Sequence, residues 1–102
     1  MKQLSLDNLR TFVSVIELGG YAKAGEFVGR SQPAISLQIK KLESQLERKL
    51  FTKVGQRHLP SADGNWLYPK AKELLELNDN IFRSLIPAPL SGRLRLGIPN
   101  EF

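Results

Sequence analysis

Cysteine is absent from this chain, and histidine, tryptophan and methionine each occur once. Without cysteine there is no disulfide, no thiolate-bound zinc and no thiol nucleophile, and a reducing compartment suits such a chain. One histidine offers no partner for a metal cluster, and no glycine-rich phosphate loop is visible. The expectation is therefore a protein that is not an enzyme and carries no metal or cofactor. Long apolar runs are missing too. Charges interrupt every hydrophobic stretch before the roughly 20 residues of a membrane helix, and the N-terminus lacks the basic-then-apolar pattern of a secretory signal. A soluble, cytoplasmic protein with no membrane partner is expected.

What is present is one modest domain. The 102 residues are 41% hydrophobic and 25% charged, enough for a single compact core. Acidic residues are in short supply, ten against fifteen basic ones, for a formal net charge of +5. The excess is concentrated. Between Arg30 and His58 seven basic residues (Arg30, Lys40, Lys41, Arg48, Lys49, Lys53, Arg57) stand against Glu43 and Glu47, while the other segments nearly cancel. A polyanion is a plausible partner for the middle of the chain.

Apolar periodicity divides the chain into helices. Leu6, Leu9, Phe12, Val13 and Ile16 recur at helical steps up to Gly19 and Gly20. A short helix from Tyr21 to Val28 follows, in which Gly25 costs about 1 kcal/mol relative to alanine unless close packing requires it. After Gly29 and Arg30, Ser31 can cap a third helix with Pro33 in its first turn. Ile35, Ile39, Leu42 and Leu46 form its core stripe, which leaves Gln32, Pro33, Ser36, Leu37, Lys40 and Lys41 off the core. Leu50 to Pro60 reads as a two-stranded wing with a basic turn around Gly55. Ser61 can cap a long helix, in which Leu67, Ala71, Leu74, Asn78, Ile81 and Leu85 follow the spacing of a two-helix seam. Pro69 within it predicts a bend near Asn65 to Pro69. Prolines at 87 and 89 with Gly92 suggest a hinge, and the alternation from Arg93 to Ile98 suggests a strand whose partners are missing. The chain is accordingly expected to be the N-terminal part of a longer protein.

Ser31-Gln32-Pro33-Ala34-Ile35-Ser36, followed by Gln38-Ile39-Lys40-Lys41-Leu42-Glu43, resembles the recognition-helix signature of LysR-type transcriptional regulators. Leu9 to Phe12, Ala24 with Glu26, Leu50-Phe51, Gly64, Leu67 to Ala71 and Gly92 to Gly97 fit the same pattern at compatible spacing. Departures occur at Gly25, where alanine is common, and at Arg30, where a small or apolar residue is common. Pro60-Ser61 replaces leucine-threonine, and Leu37 stands where many members place a DNA-reaching arginine.

The resemblance implies a mainly α fold: a winged helix-turn-helix over residues 1–60, a dimerisation helix over 61–86, and the hinge and first strand of an effector-binding domain over 87–102. It implies sequence-specific binding of double-stranded DNA at a pseudo-palindromic operator, with the third helix in the major groove. A homodimer would form through Leu67, Ala71, Leu74, Asn78, Ile81 and Leu85, and a small-molecule effector would act through the missing domain. Gln32, Pro33, Ser36 and Leu37 are the expected base readers; Ser31, Lys40, Lys41, Lys53 and Arg57 are expected at the backbone. Some have a plainer alternative: Ser31 as a helix cap, the Lys40-Lys41 pair as solvated surface, Asn78 as a solvent-facing residue. An architectural DNA binder with little sequence preference and a protein-interaction module remain as rival functions.

Overall fold

The computed structural model describes residues 2–86, so the expected hinge and strand over 87–102 lie outside the described residues. Four helices and one hairpin follow in order: α1 (Leu6–Leu18), α2 (Tyr21–Val28), α3 (Gln32–Leu46), β1 (Phe51–Val54), β2 (Arg57–Pro60) and α4 (Ala62–Leu85). This is the mainly α winged helix-turn-helix with a long final helix that the sequence implies. No helix among the described residues is long and apolar enough to cross a membrane.

Local chemistry sets the boundaries. Ser5, Ser31 and Ser61 each accept a hydrogen bond from a backbone N–H in the first turn of α1, α3 and α4, satisfying one orphan donor apiece. Gly19 and Gly29 end α1 and α2 in the left-handed region, which a residue without Cβ enters at little cost. β1 and β2 pair antiparallel with Phe51 opposite Pro60 and Val54 opposite Arg57. Their tight turn is made by Gly55 at φ 62° and Gln56.

α1 is the central element, packed against α2, α3 and α4. The apolar stripe read from its sequence accounts for only part of what it buries. Leu9, Phe12 and Val13 are in the core, but so are Val15, Thr11 and Ser14, while Leu6 is exposed. A helix surrounded on three sides loses its polar face, so its buried polar groups need partners. The Ser14 hydroxyl donates to the Arg10 carbonyl at 3.0 Å, and Thr11 finds a partner on α3. Ile35, Ile39 and Leu42 of α3, Ala24 of α2, and Leu50 and Phe51 at the start of the wing complete the cluster.

Gly25 has a specific reason. A Cβ there would lie 2.5 Å from the Arg30 carbonyl oxygen and 3.6 Å from Ile35. The turn between α2 and α3 thus folds back onto α2, and Arg30 N–H donates to the Gly25 carbonyl at 2.8 Å.

α4 corrects one expectation. Leu67 and Ala71 were expected on a seam between two chains; they are buried in this chain's own core together with Leu75. The spacing of four that joins Leu67, Ala71 and Leu75 lays them on α1, and polar contacts flank the stripe. Tyr68 hydroxyl donates to Glu17 at 2.7 Å, Lys72 pairs with Glu17 at 3.2 Å, and Arg10 pairs with Asp79 at 3.2 Å. Leu74, Leu77, Ile81 and Leu85 form a neighbouring stripe that the chain itself leaves exposed. α4 is continuous through Pro69.

Candidate nucleic-acid interface

α3 presents its first turns outward. Gln32, Pro33 and Leu37 are exposed, Leu37 at 54%, and Ser36 is half-buried beside them. An exposed leucine of that size, at the outer face of a helix whose other face fills the core, has no packing role among the described residues. Ser31 Oγ is engaged as the α3 cap, accepting from Ala34 N–H at 3.3 Å.

The basic residues divide into separate sites. One residue along a helix turns the side chain by about 100°, so Lys40 and Lys41 diverge. Lys40 lines a groove of about 450 Å³ between α3 and the wing, together with Ser36 and Lys53. Lys41 faces a different side, where it lines a shallow depression with Leu4, Asn8 and Gln45. In the hairpin, Lys53 lies directly across from His58, and Arg57 across from Val54. Alternation along the strands therefore puts Lys53 and Arg57 on opposite faces of the wing. Both are exposed.

Several residues that sequence reasoning passed over hold this surface in place. Gln38 joins α3 to α1: its carbonyl oxygen accepts from Thr11 and Arg30 at 2.9 and 3.1 Å, and its amide donates to Asp7 and Asn8 at 2.8 and 3.1 Å. Arg30 also pairs with Asp7 at 3.2 Å. A glutamine beside a core stripe was the available signal, because a half-buried amide is normally hydrogen-bonded. Glu43 accepts from Leu50 N–H at 2.8 Å and so ties α3 to the first residue of the wing. Tyr21, near this carboxylate, is held by burial and by the Glu43 charge with its phenol pushed up to about 12.

Of the expected pairing residues, Leu74, Ile81 and Leu85 are exposed on α4 and Asn78 is half-buried, its amide donating to Asp79 at 3.4 Å. Leu77, 61% exposed, belongs to the same stripe and was not expected there.

Known proteins share this arrangement. The family described as bacterial regulatory helix-turn-helix protein, lysR family, matches residues 6–65. The HTH-type transcriptional regulator DgdR of Burkholderia cepacia is 32% identical over 101 residues, covering 99% of this chain and 34% of that protein. PecT of Dickeya dadantii, also an HTH-type transcriptional regulator, is 35% identical over 98 residues, covering 96% and 31%. The chain thus spans about a third of the length of these curated relatives. A crystal structure of the BenM DNA-binding domain with benA site 1 DNA superposes with a TM-score of 0.74 at 30% identity, covering 78% of this chain and 90% of that one. The match runs through α1, α2, α3, the wing and the capped start of α4, and the chain belongs to the lysR family of bacterial regulatory helix-turn-helix proteins.

Proposed function

We propose that this chain binds a specific double-stranded DNA site as the DNA-binding head of a bacterial transcriptional regulator. The observation that carries the reading is the outer face of α3, where Gln32, Pro33, Ser36 and Leu37 stand clear of the core on the first turns of the helix. An α-helix fits the major groove, where each base pair presents a distinct pattern, and the N-terminal part of the helix meets the base edges. Gln32 can pair bidentately with adenine, Ser36 can bond either base class, and Pro33 and Leu37 can pack on thymine methyls. Lys40, Lys41, Lys53 and Arg57 take phosphates, joined by the Ser31 hydroxyl, and set register without carrying sequence. Likeness to a domain solved on DNA supports the same reading.

The operator is a pseudo-palindrome, read by a homodimer. The exposed stripe Leu74, Leu77, Ile81 and Leu85, with Asn78 at its edge, supplies the contact between two α4 helices and spaces the heads about one DNA turn, roughly 34 Å, apart. The role is binding, with no catalysis and no cofactor, in the cytoplasm. Residues 1–60 serve as the head, 61–86 as the linker helix, and 87–102 lead to a domain that senses a small molecule.

Selection of sites from random duplex DNA, followed by salt titration of the winner against scrambled DNA, tests this. A recovered pseudo-palindrome with a large specificity ratio is expected. Equal, salt-sensitive binding to both duplexes would replace it with an architectural role, and no binding by the folded chain would leave an interaction module.

A further inference from the structure

His58 is the chain's one histidine, and the fold gives it a fixed place. Its imidazole lies flat on the Tyr21 ring, with centroids 4.1 Å apart and planes 6° apart. Tyr21 in turn meets Phe51 edge-on at 6.0 Å, and Phe51 packs against Phe12 in the core at 5.6 Å. The four rings run from the centre of the head to its surface, and His58 is the outermost.

At that surface His58 lines the groove between α3 and the wing, which three lysines from three parts of the chain also line. Lys40 comes from α3, Lys49 from the turn before the wing, and Lys53 from β1, directly opposite His58 in the ladder. Among the described residues that line the groove, Glu43 is the one carboxylate. Glu43 of α3 is engaged with the Leu50 N–H, and Tyr21 of α2 keeps its proton throughout the histidine range. Arg57, the preceding residue on β2, adds further positive charge on the other face of the hairpin.

Charging His58 would add a fourth positive charge to this groove. A phosphodiester seated there supplies the balancing negative charge, and the imidazolium gains an N–H donor for it while resting on the face of Tyr21. Each event then favours the other, because linked equilibria are reciprocal. We propose that His58 is a proton-linked ligand for a backbone phosphate in the groove between α3 and the wing, so that the head takes up a proton on binding DNA. The inference rests on the DNA-binding reading above. It adds that affinity rises as pH falls from about 8 to about 5.5.

The test uses the whole chain and the selected duplex. Binding is measured by fluorescence anisotropy from pH 8 to pH 5.5 at fixed ionic strength, and calorimetry in two buffers of different ionisation heat counts the protons. Kd is expected to fall about threefold or more, with uptake of a fraction of one proton. Scrambled DNA should show the same pH trend, since a phosphate carries no sequence. His58→Gln should abolish both effects and leave Kd near the pH 8 value. A Kd independent of pH with no proton uptake, or equal uptake by His58→Gln, overturns the proposal. The proton count on the unaltered chain stands even if the variant folds poorly. Binding to no duplex at any pH would instead remove the DNA reading itself.

Discussion

Thr11 of α1 donates its hydroxyl to the side-chain carbonyl of Gln38 on α3, at 2.9 Å, across the packed surface that fixes how α3 is presented. Thr11 is 1% exposed, so it has no water to fall back on. Gln38→Leu removes this acceptor together with the contacts to Arg30, Asp7 and Asn8, and should destabilise the head by about 1 to 3 kcal/mol in urea unfolding. Adding Thr11→Val should recover part of that loss, because the orphaned hydroxyl goes with it. A double variant no more stable than the additive sum would show that the pair is not coupled.

Gly64 lies in the first turn of α4, against the Leu50 carbonyl, which also accepts the Ser61 N–H at 2.9 Å. A Cβ at this position would collide with that carbonyl oxygen and touch Pro60. Gly64→Ala should therefore lower stability by about 1 to 3 kcal/mol, in spite of the better helix propensity of alanine. A thermal midpoint at or above that of the parent chain would mean the wing yields freely.

The two stripes of α4 should respond differently to charge. Leu77→Glu with Ile81→Glu should leave the head folded by circular dichroism, but monomeric by sedimentation and much weaker on a two-half-site duplex. Ala71→Glu should unfold the head instead, since that position is 0% exposed. A dimer that survives the double substitution would put the contact elsewhere.

Leu37 offers a test of base reading. Leu37→Arg should shift preference toward guanine at one position of each half-site, by about 1 to 3 kcal/mol. An unchanged preference matrix would place Leu37 away from the bases.

Glu17 links stability to pH. The hydrogen bond from Tyr68, then Lys72, holds its carboxyl below the usual range in the folded chain. A group depressed in this way contributes stability above its unfolded value, and that contribution is lost as pH falls through the folded one. Between about pH 5 and pH 3 the urea midpoint of Glu17→Gln should consequently fall less than that of the parent chain. Parallel curves would show that the exposed cluster contributes nothing measurable.

Much of this protein was legible in the residues themselves. The serine caps of α3 and α4, the glycine-closed helix ends, the hairpin turn at Gly55 and the core stripe of α3 all depend on interactions within about four residues, and each was readable from spacing and side-chain chemistry. The run from Ser31 to Glu43 pointed to the family by resemblance to its recognition-helix signature. Tertiary structure decided what depends on distant partners. α4 carries apolar residues on two adjacent arcs, and only the position of α1 determines that Leu67, Ala71 and Leu75 are consumed within the chain while Leu74, Leu77, Ile81 and Leu85 are left outside. The four bonds of Gln38 and the stacking of His58 on Tyr21 likewise arise between residues 8 to 37 positions apart in sequence. A linear pattern records which residues can be buried or paired; which partner each one meets is set by how the helices pack in space.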